Sequence, residues 1–199
     1  MRCIVKTSYY VASLIMVLLI FNGGTVFAKE YPTYKDELPN TNNKMPGSTV
    51  YVYKSEIPEY YQYINGRYAF TVDFLKNFTV AFLPANSDGA TFKLPDGSAE
   101  LTAAGGRIPL WDTLDAFYIR TLQGIDGRKG YTEKGDDWFV ITWGQNGMIF
   151  YEKQFVSGNL HNGFILSYPE ELKNEYDEIV GNIERSFIPG WRTGYKMGR

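Results

Sequence analysis

The pattern of apolar and polar positions changes character twice along the 199-residue chain. Residues 11–21 form one apolar run that includes Ala12 and Ser13, and residues 29–49 show no apolar period at all. From Val50 onward, short runs rich in aromatic and β-branched residues alternate with turn residues, which predicts strands. Residues 50–53 read as a small edge strand, 68–74 as a stronger strand, and 78–83 as another that Pro84 ends. Asn86-Ser87-Asp88-Gly89 and Pro95-Asp96-Gly97 bracket the next run. Strands at about 90–94 and 98–103 therefore form a hairpin, with Gly105-Gly106 closing this part. Asp112 or Thr113 caps a helix on which Leu114, Phe117, Tyr118, Thr121 and Leu122 recur at three and four residues until Gly124.

Four further strands follow, at 131–133, 138–143, 148–156 and 160–168. Gly-Asp-Asp, Gly-Gln-Asn-Gly and Ser-Gly-Asn connect them, links short enough to force antiparallel neighbours. In the second of these, Trp138, Val140 and Thr142 share one face while Phe139, Ile141 and Trp143 share the other. Both faces are apolar, so each needs a cover. One cover lies at 170–187, where Leu172, Tyr176, Ile179, Val180, Ile183 and Phe187 form a single helical stripe behind Pro169, Glu170 and Glu171. The helix at 113–123 supplies the other. The fold class expected is α+β, an antiparallel sheet flanked by helices on both faces.

The apolar run at 11–21 follows Arg2 and Lys6 and ends at Val26-Phe27-Ala28, with small residues at the −3 and −1 positions. That is the layout of a secretory signal peptide over 1–28, with cleavage between Ala28 and Lys29. Cys3, the only cysteine, leaves with it. Residues 29–49 then form a flexible lead, 50–189 a single α+β domain, and 190–199 a C-terminal tail. The expected location is secreted or extracytoplasmic, with no transmembrane segment once the signal is removed.

The order of the pieces is familiar. Tyr68-Ala69-Phe70-Thr71-Val72-Asp73, Asn86-Ser87-Asp88-Gly89-Ala90-Thr91-Phe92 and Pro95-Asp96-Gly97-Ser98-Ala99-Glu100-Leu101 resemble an exported bacterial group of uncharacterised proteins. Asp137-Trp138-Phe139-Val140, Ile149-Phe150-Tyr151-Glu152-Lys153 and Tyr168-Pro169 before a helix ending Ser186-Phe187 extend the likeness over about 66–189. The arrangement resembles the PsbP/Mog-type α/β/α sandwich. In that superfamily PsbP proteins bind the lumenal face of photosystem II and Mog-type proteins bind a small nuclear GTPase. The resemblance thus implies a non-catalytic binding module, and it carries no functional residue across.

Candidate chemistry changes this picture little. Without the two basic residues of the signal, 18 basic face 22 acidic residues, a weakly acidic balance that argues against nucleic acid as a partner. No cofactor or metal is expected. Taking Gly89 as the sixth residue of a calcium loop puts Pro84 first and Pro95 twelfth, where carboxylates are required, and Asp136-Asp137 reads as turn chemistry. One histidine and no thiol cannot supply the usual zinc ligands. His161, just past Ser157-Gly158-Asn159, reads as an exposed or turn-satisfying residue, and no catalytic residue is assigned. The tail offers Trp191, Arg192, Lys196 and Arg199 as possible partner contacts. The function expected is an exported binding or assembly module at a cell envelope, its partner a protein or another envelope component. The alternative is a small carboxylate-based hydrolase of envelope glycans. It would draw two acids from Asp73, Glu100, Glu133, Asp136, Asp137 and Glu152, with Trp111, Trp138 and Trp143 stacking on sugars.

Overall fold

The computed structural model describes residues 50–194. The signal segment with Ala28 and Lys29, the 29–49 lead, and Lys196 and Arg199 of the tail lie outside the described residues. Three strands, β1 (Val50–Lys54), β2 (Tyr60–Asn65) and β3 (Thr71–Leu75), form a small antiparallel sheet in the order β1-β2-β3. Seven more form a large one: β4 (Thr79–Phe82), β5 (Gly89–Lys93), β6 (Glu100–Arg107), β7 (Arg128–Lys134), β8 (Trp138–Gln145), β9 (Met148–Ser157) and β10 (Leu160–Pro169). Its order is β4-β5-β6-β10-β9-β8-β7, antiparallel throughout. Helix α1 (Leu114–Gly124) precedes β7. After β10 come a 3-10 turn (Glu170–Leu172), α2 (Lys173–Ser186) and the short α3 (Gly190–Thr193). Among the described residues, no helix is long and apolar enough to cross a membrane.

The α+β class, with a large antiparallel sheet flanked by helices, is the one the sequence predicts. The inner face of the large sheet buries Val80, Phe92, Leu101, Ala103, Phe155, Phe164 and Leu166. Two elements cover it together, where the sequence points to a helix alone. From α2 come Tyr176, Val180 and Ile183 of the expected stripe, and from the small sheet come Tyr63, Val72 and Phe74. Phe74 stacks on Phe92 at 4.1 Å, and Tyr63 meets the same ring edge-on at 5.4 Å. Phe187, just past α2, locks the layers by contacting Phe70, Phe155 and Phe164 at 5.5–5.6 Å.

Cover on the outer face is lighter. Phe139 and Ile141 are fully buried there, and Phe117 and Tyr118 of α1 each meet Phe139 edge-on at 5.4 Å. No residue of α1 is itself buried. Beyond the helix this face stays half open, with Trp143 stacked on Phe150 at 4.9 Å and Thr91 bonded to Thr102 at 2.9 Å.

Two details differ from the sequence reading. Gly105-Gly106 do not close the hairpin, because β6 runs through both to Arg107. Gly105 is there for close approach: a Cβ would meet the Tyr68 ring and Asn162 Nδ2 at 2.6 Å. Strand β3 begins at Thr71, later than expected, because Tyr68 and Ala69 belong to a turn in which the Ala69 N–H bonds to the Asn65 carbonyl and Ala69 has φ +59°.

Candidate functional site

Several irregular segments of the chain meet at one end of the large sheet. Here β6 finishes at Arg107 opposite the start of β10, α1 begins, and the β7–β8 and β9–β10 turns lie. The 65–70 turn joins them, because Asn65 Nδ2 donates to the Ser87 carbonyl at 2.9 Å. Val50 is paired with Asn65, so the described chain also enters at this end. It leaves here too, through α3.

The most exposed large apolar side chains sit on this end. The Asp112 N–H bonds to the Pro109 carbonyl at 2.9 Å, closing a four-residue turn with Leu110 and Trp111 at its crown. They are 84% and 87% exposed. The turn is fixed on both sides. Before it, the Ile108 N–H bonds to the Asn159 carbonyl at 2.9 Å. After it, Thr113 Oγ1 caps α1 by accepting from the Ala116 N–H at 3.1 Å, and Arg120 Nη2 donates to Asp112 at 2.6 Å. These bonds fix the backbone of the turn, which holds both side chains on its solvent side. Beside it, Thr113, Leu114, Asp115, Lys134, Gly135 and Asp136 line a shallow open groove of about 450 Å³.

Most charges around the turn are matched within the fold. Arg67 pairs with Asp88, Lys134 with Asp115, and Arg192 with Asp137, besides the Arg120–Asp112 pair. Of the tail residues singled out in the sequence, Trp191 is half-buried against the core. Arg192 lies over the Phe155 ring at 5.6 Å as well as against Asp137. Gly190 anchors them: its N–H donates to Asn162 Oδ1 at 2.8 Å, and a Cβ there would collide with the Tyr68 carbonyl.

The acids named for hydrolysis are scattered. Asp73 is 4% exposed on the small sheet, bonded by Ser55 Oγ and by Gln62 Nε2 at 3.3 Å. Glu152 is 7% exposed on the outer face of the large sheet, between Ile141 and Ile165, and accepts from Gln154 Nε2 at 2.8 Å. Burial raises the proton affinity of both. These are the carboxyls whose environment resembles that of a catalytic acid, yet the aromatic core and the large sheet separate them. Glu100 pairs with Lys93, Glu133 accepts from the Tyr131 hydroxyl, and Asp137 is taken by Arg192. Asp115 and Asp136 border the groove, but both are exposed and Lys134 occupies Asp115. Among the described residues, no group of three or more His, Cys, Asp or Glu is placed to hold a metal ion. The three tryptophans build no common platform either. Trp138 is on the inner face with Lys153 Nζ 4.4 Å from its ring centre, Trp143 is on the outer face, and Trp111 is on the turn.

His161 is not the exposed turn residue the sequence suggests. It lies half-buried on the outer face, 5.2 Å from the Phe117 ring, with Nδ1 at 3.2 Å from Gln154 Oε1. Burial lowers its pKa, and the charge of Asp88 offsets this only in part. A depressed folded value gives a stability contribution that is present above the ordinary histidine range and lost as pH falls through the folded one. Glu152, raised, works in the opposite sense: its contribution is complete below the ordinary carboxylate range and lost as pH rises. Melting at pH 7 and pH 5 is therefore expected to show wild type losing stability on acidification relative to His161→Gln. Glu152→Gln is expected to gain on wild type at pH 7, with the gap narrowing towards pH 4. Parallel pH profiles for all three would contradict the burial of these groups.

The Leu110–Trp111 turn is the feature that sequence reasoning missed. Trp111 stood out only as a sugar-stacking candidate. The signal was present in Pro109-Leu110-Trp111-Asp112-Thr113, two large apolar residues at turn positions that usually hold polar ones.

No protein-family model matches the chain, and no curated protein is similar to it. Among solved structures, the chain is similar to the solution structure of cyanobacterial PsbP (CyanoP) from Synechocystis. The two are 15% identical with a TM-score of 0.51, and the match covers 67% of this chain and 94% of that one. At that identity the likeness concerns the fold, which is PsbP/Mog-like.

Proposed function

We propose that this protein is an exported binding or assembly module that performs no chemistry and meets an envelope component through its Leu110–Trp111 end. The observation that carries the reading is the rigid display of two large apolar side chains at the end where the described chain enters and leaves. The PsbP-like fold supports it, since the family resemblance implies binding modules. So does the separation of Asp73 from Glu152, which leaves the two buried carboxyls unopposed. Trp191 and Arg192, with Lys196 and Arg199 beyond them, extend the proposed contact along the tail.

The test is a binding titration of the host-exported protein on isolated envelopes of its own host. Replacing Leu110 and Trp111 together by serine is expected to weaken binding by more than tenfold, while Asp73→Asn and Glu152→Gln bind as wild type does. Equal binding by the double variant would contradict the reading. Release of sugar from envelope glycan that depends on Asp73 or Glu152 would establish the hydrolase in its place.

A further inference from the structure

We propose that the Leu110–Trp111 turn inserts into the headgroup–acyl boundary of a lipid bilayer, an inference that rests on the envelope reading above and names its partner. Three observations favour lipid over a protein surface. The first is shape and size. The turn is a convex tip of two side chains offering a few hundred Å², whereas a stable protein interface takes about 800 Å² from each partner. A bilayer needs no complementary pocket, and Trp and Leu are the residue types that enter its boundary.

The second observation is charge. Arg67, Arg120, Lys134 and Arg192 around the tip are each paired with an aspartate of the same end. With Arg107 and Asp136 also at this end, one of each sign, the rim is close to charge balance, with neither the repulsion that would hold a bilayer off nor the strong field that would steer an acidic protein partner. The third is where the chain runs. Val50 lies opposite Asn65 at this end, so the described chain begins here. The described chain also ends here, just past α3, and Lys196 and Arg199, cations suited to anionic headgroups, follow in the sequence.

The experiment uses the exported protein, from Lys29 onward, on phosphatidylcholine vesicles, with and without phosphatidylglycerol, whose acyl chains are brominated near the headgroup. Bromine quenches tryptophan within contact range. Trp138, Trp143 and Trp191 are half-buried in the fold, so Trp111 is expected to supply most of the quenching, and Trp111→Phe should remove it. Leu110→Ser, which leaves Trp111 in place, should weaken insertion of the tip about tenfold. Quenching should persist at high salt, because the rim charges are matched. Quenching that is the same in Trp111→Phe, or none in vesicle-bound wild type, overturns the inference. So does failure of the exported protein to associate with vesicles. If vesicles give no quenching but a photo-reactive group at position 111 joins to an envelope protein, the lipid assignment falls and the binding reading stands. If position 111 joins to neither, both fall.

Discussion

Phe187→Ala is expected to lower the unfolding free energy by about 3–5 kcal/mol, and the melting temperature by roughly 10 °C. The reason is position. Phe187 follows the last turn of α2, where its N–H still bonds to the Ile183 carbonyl at 3.1 Å. Its ring touches Phe70 ahead of β3, Phe155 on β9 and Phe164 on β10. Removing it opens a cavity where α2, the small sheet and the large sheet all meet, and three rings cannot close that space without moving strands. Phe187→Leu fills much of the volume and is expected to cost about 1 kcal/mol. Urea unfolding of the two variants checks the pair. Loss of no more than a few tenths of a kcal/mol in the alanine variant would mean that the layers are joined elsewhere.

Asn65→Leu is expected to cost about 3 kcal/mol, by a different route. Asn65 is fully buried. Its Nδ2 donates to Tyr63 Oη and to the Ser87 carbonyl, both at 2.9 Å, and its Oδ1 accepts from the N–H groups of Arg67 at 3.0 Å and Tyr68 at 2.6 Å. One side chain therefore shapes the 65–70 turn and ties it to the 84–88 turn. Leucine has similar size and no polar atom, so it would leave two backbone donors and a carbonyl without their bonds. Asn65→Asp keeps the acceptor for both N–H groups and should fall between leucine and wild type. Amide exchange at Arg67 and Tyr68 is expected to accelerate in the leucine variant. Unchanged exchange there would show that the side chain does not organise this turn.

What the sequence revealed, and what it hid, follow from where each signal was stored. Strands β8, β9 and β10 were legible because short polar turns separate apolar runs. The double-faced apolar pattern of 138–143 correctly demanded cover on both sides. The stripe from Leu172 to Phe187 was legible because helical spacing is a local property. Strand β2 went unread, since Tyr60-Tyr61-Gln62-Tyr63-Ile64-Asn65 has no clean alternation and buries its polar end in a turn network. With β2 missing, the small sheet could not be foreseen, and α2 was left as sole cover for the inner face. Gly105-Gly106 looked like punctuation because their reasons, the ring of Tyr68 for Gly105 and that of His161 for Gly106, lie far away in sequence. His161 looked exposed for the same reason: Phe117, which shields it, belongs to a helix more than forty residues earlier. The proposed contact was partly legible through the aromatic-cationic tail, but its centre at Leu110–Trp111 becomes visible only once the fold shows these two side chains to be far more exposed than the other large apolar ones among the described residues.

The central claim is that recognition takes place at the turn-bearing end of the fold. Its most direct measurement places a photo-reactive residue at position 111 of the full chain in the host, with a control at position 96, an exposed site in the β5–β6 turn. Irradiation is expected to give an envelope adduct, lipid or protein, from position 111 and little from position 96. Equal adducts from the two sites, or none from position 111, would contradict the account.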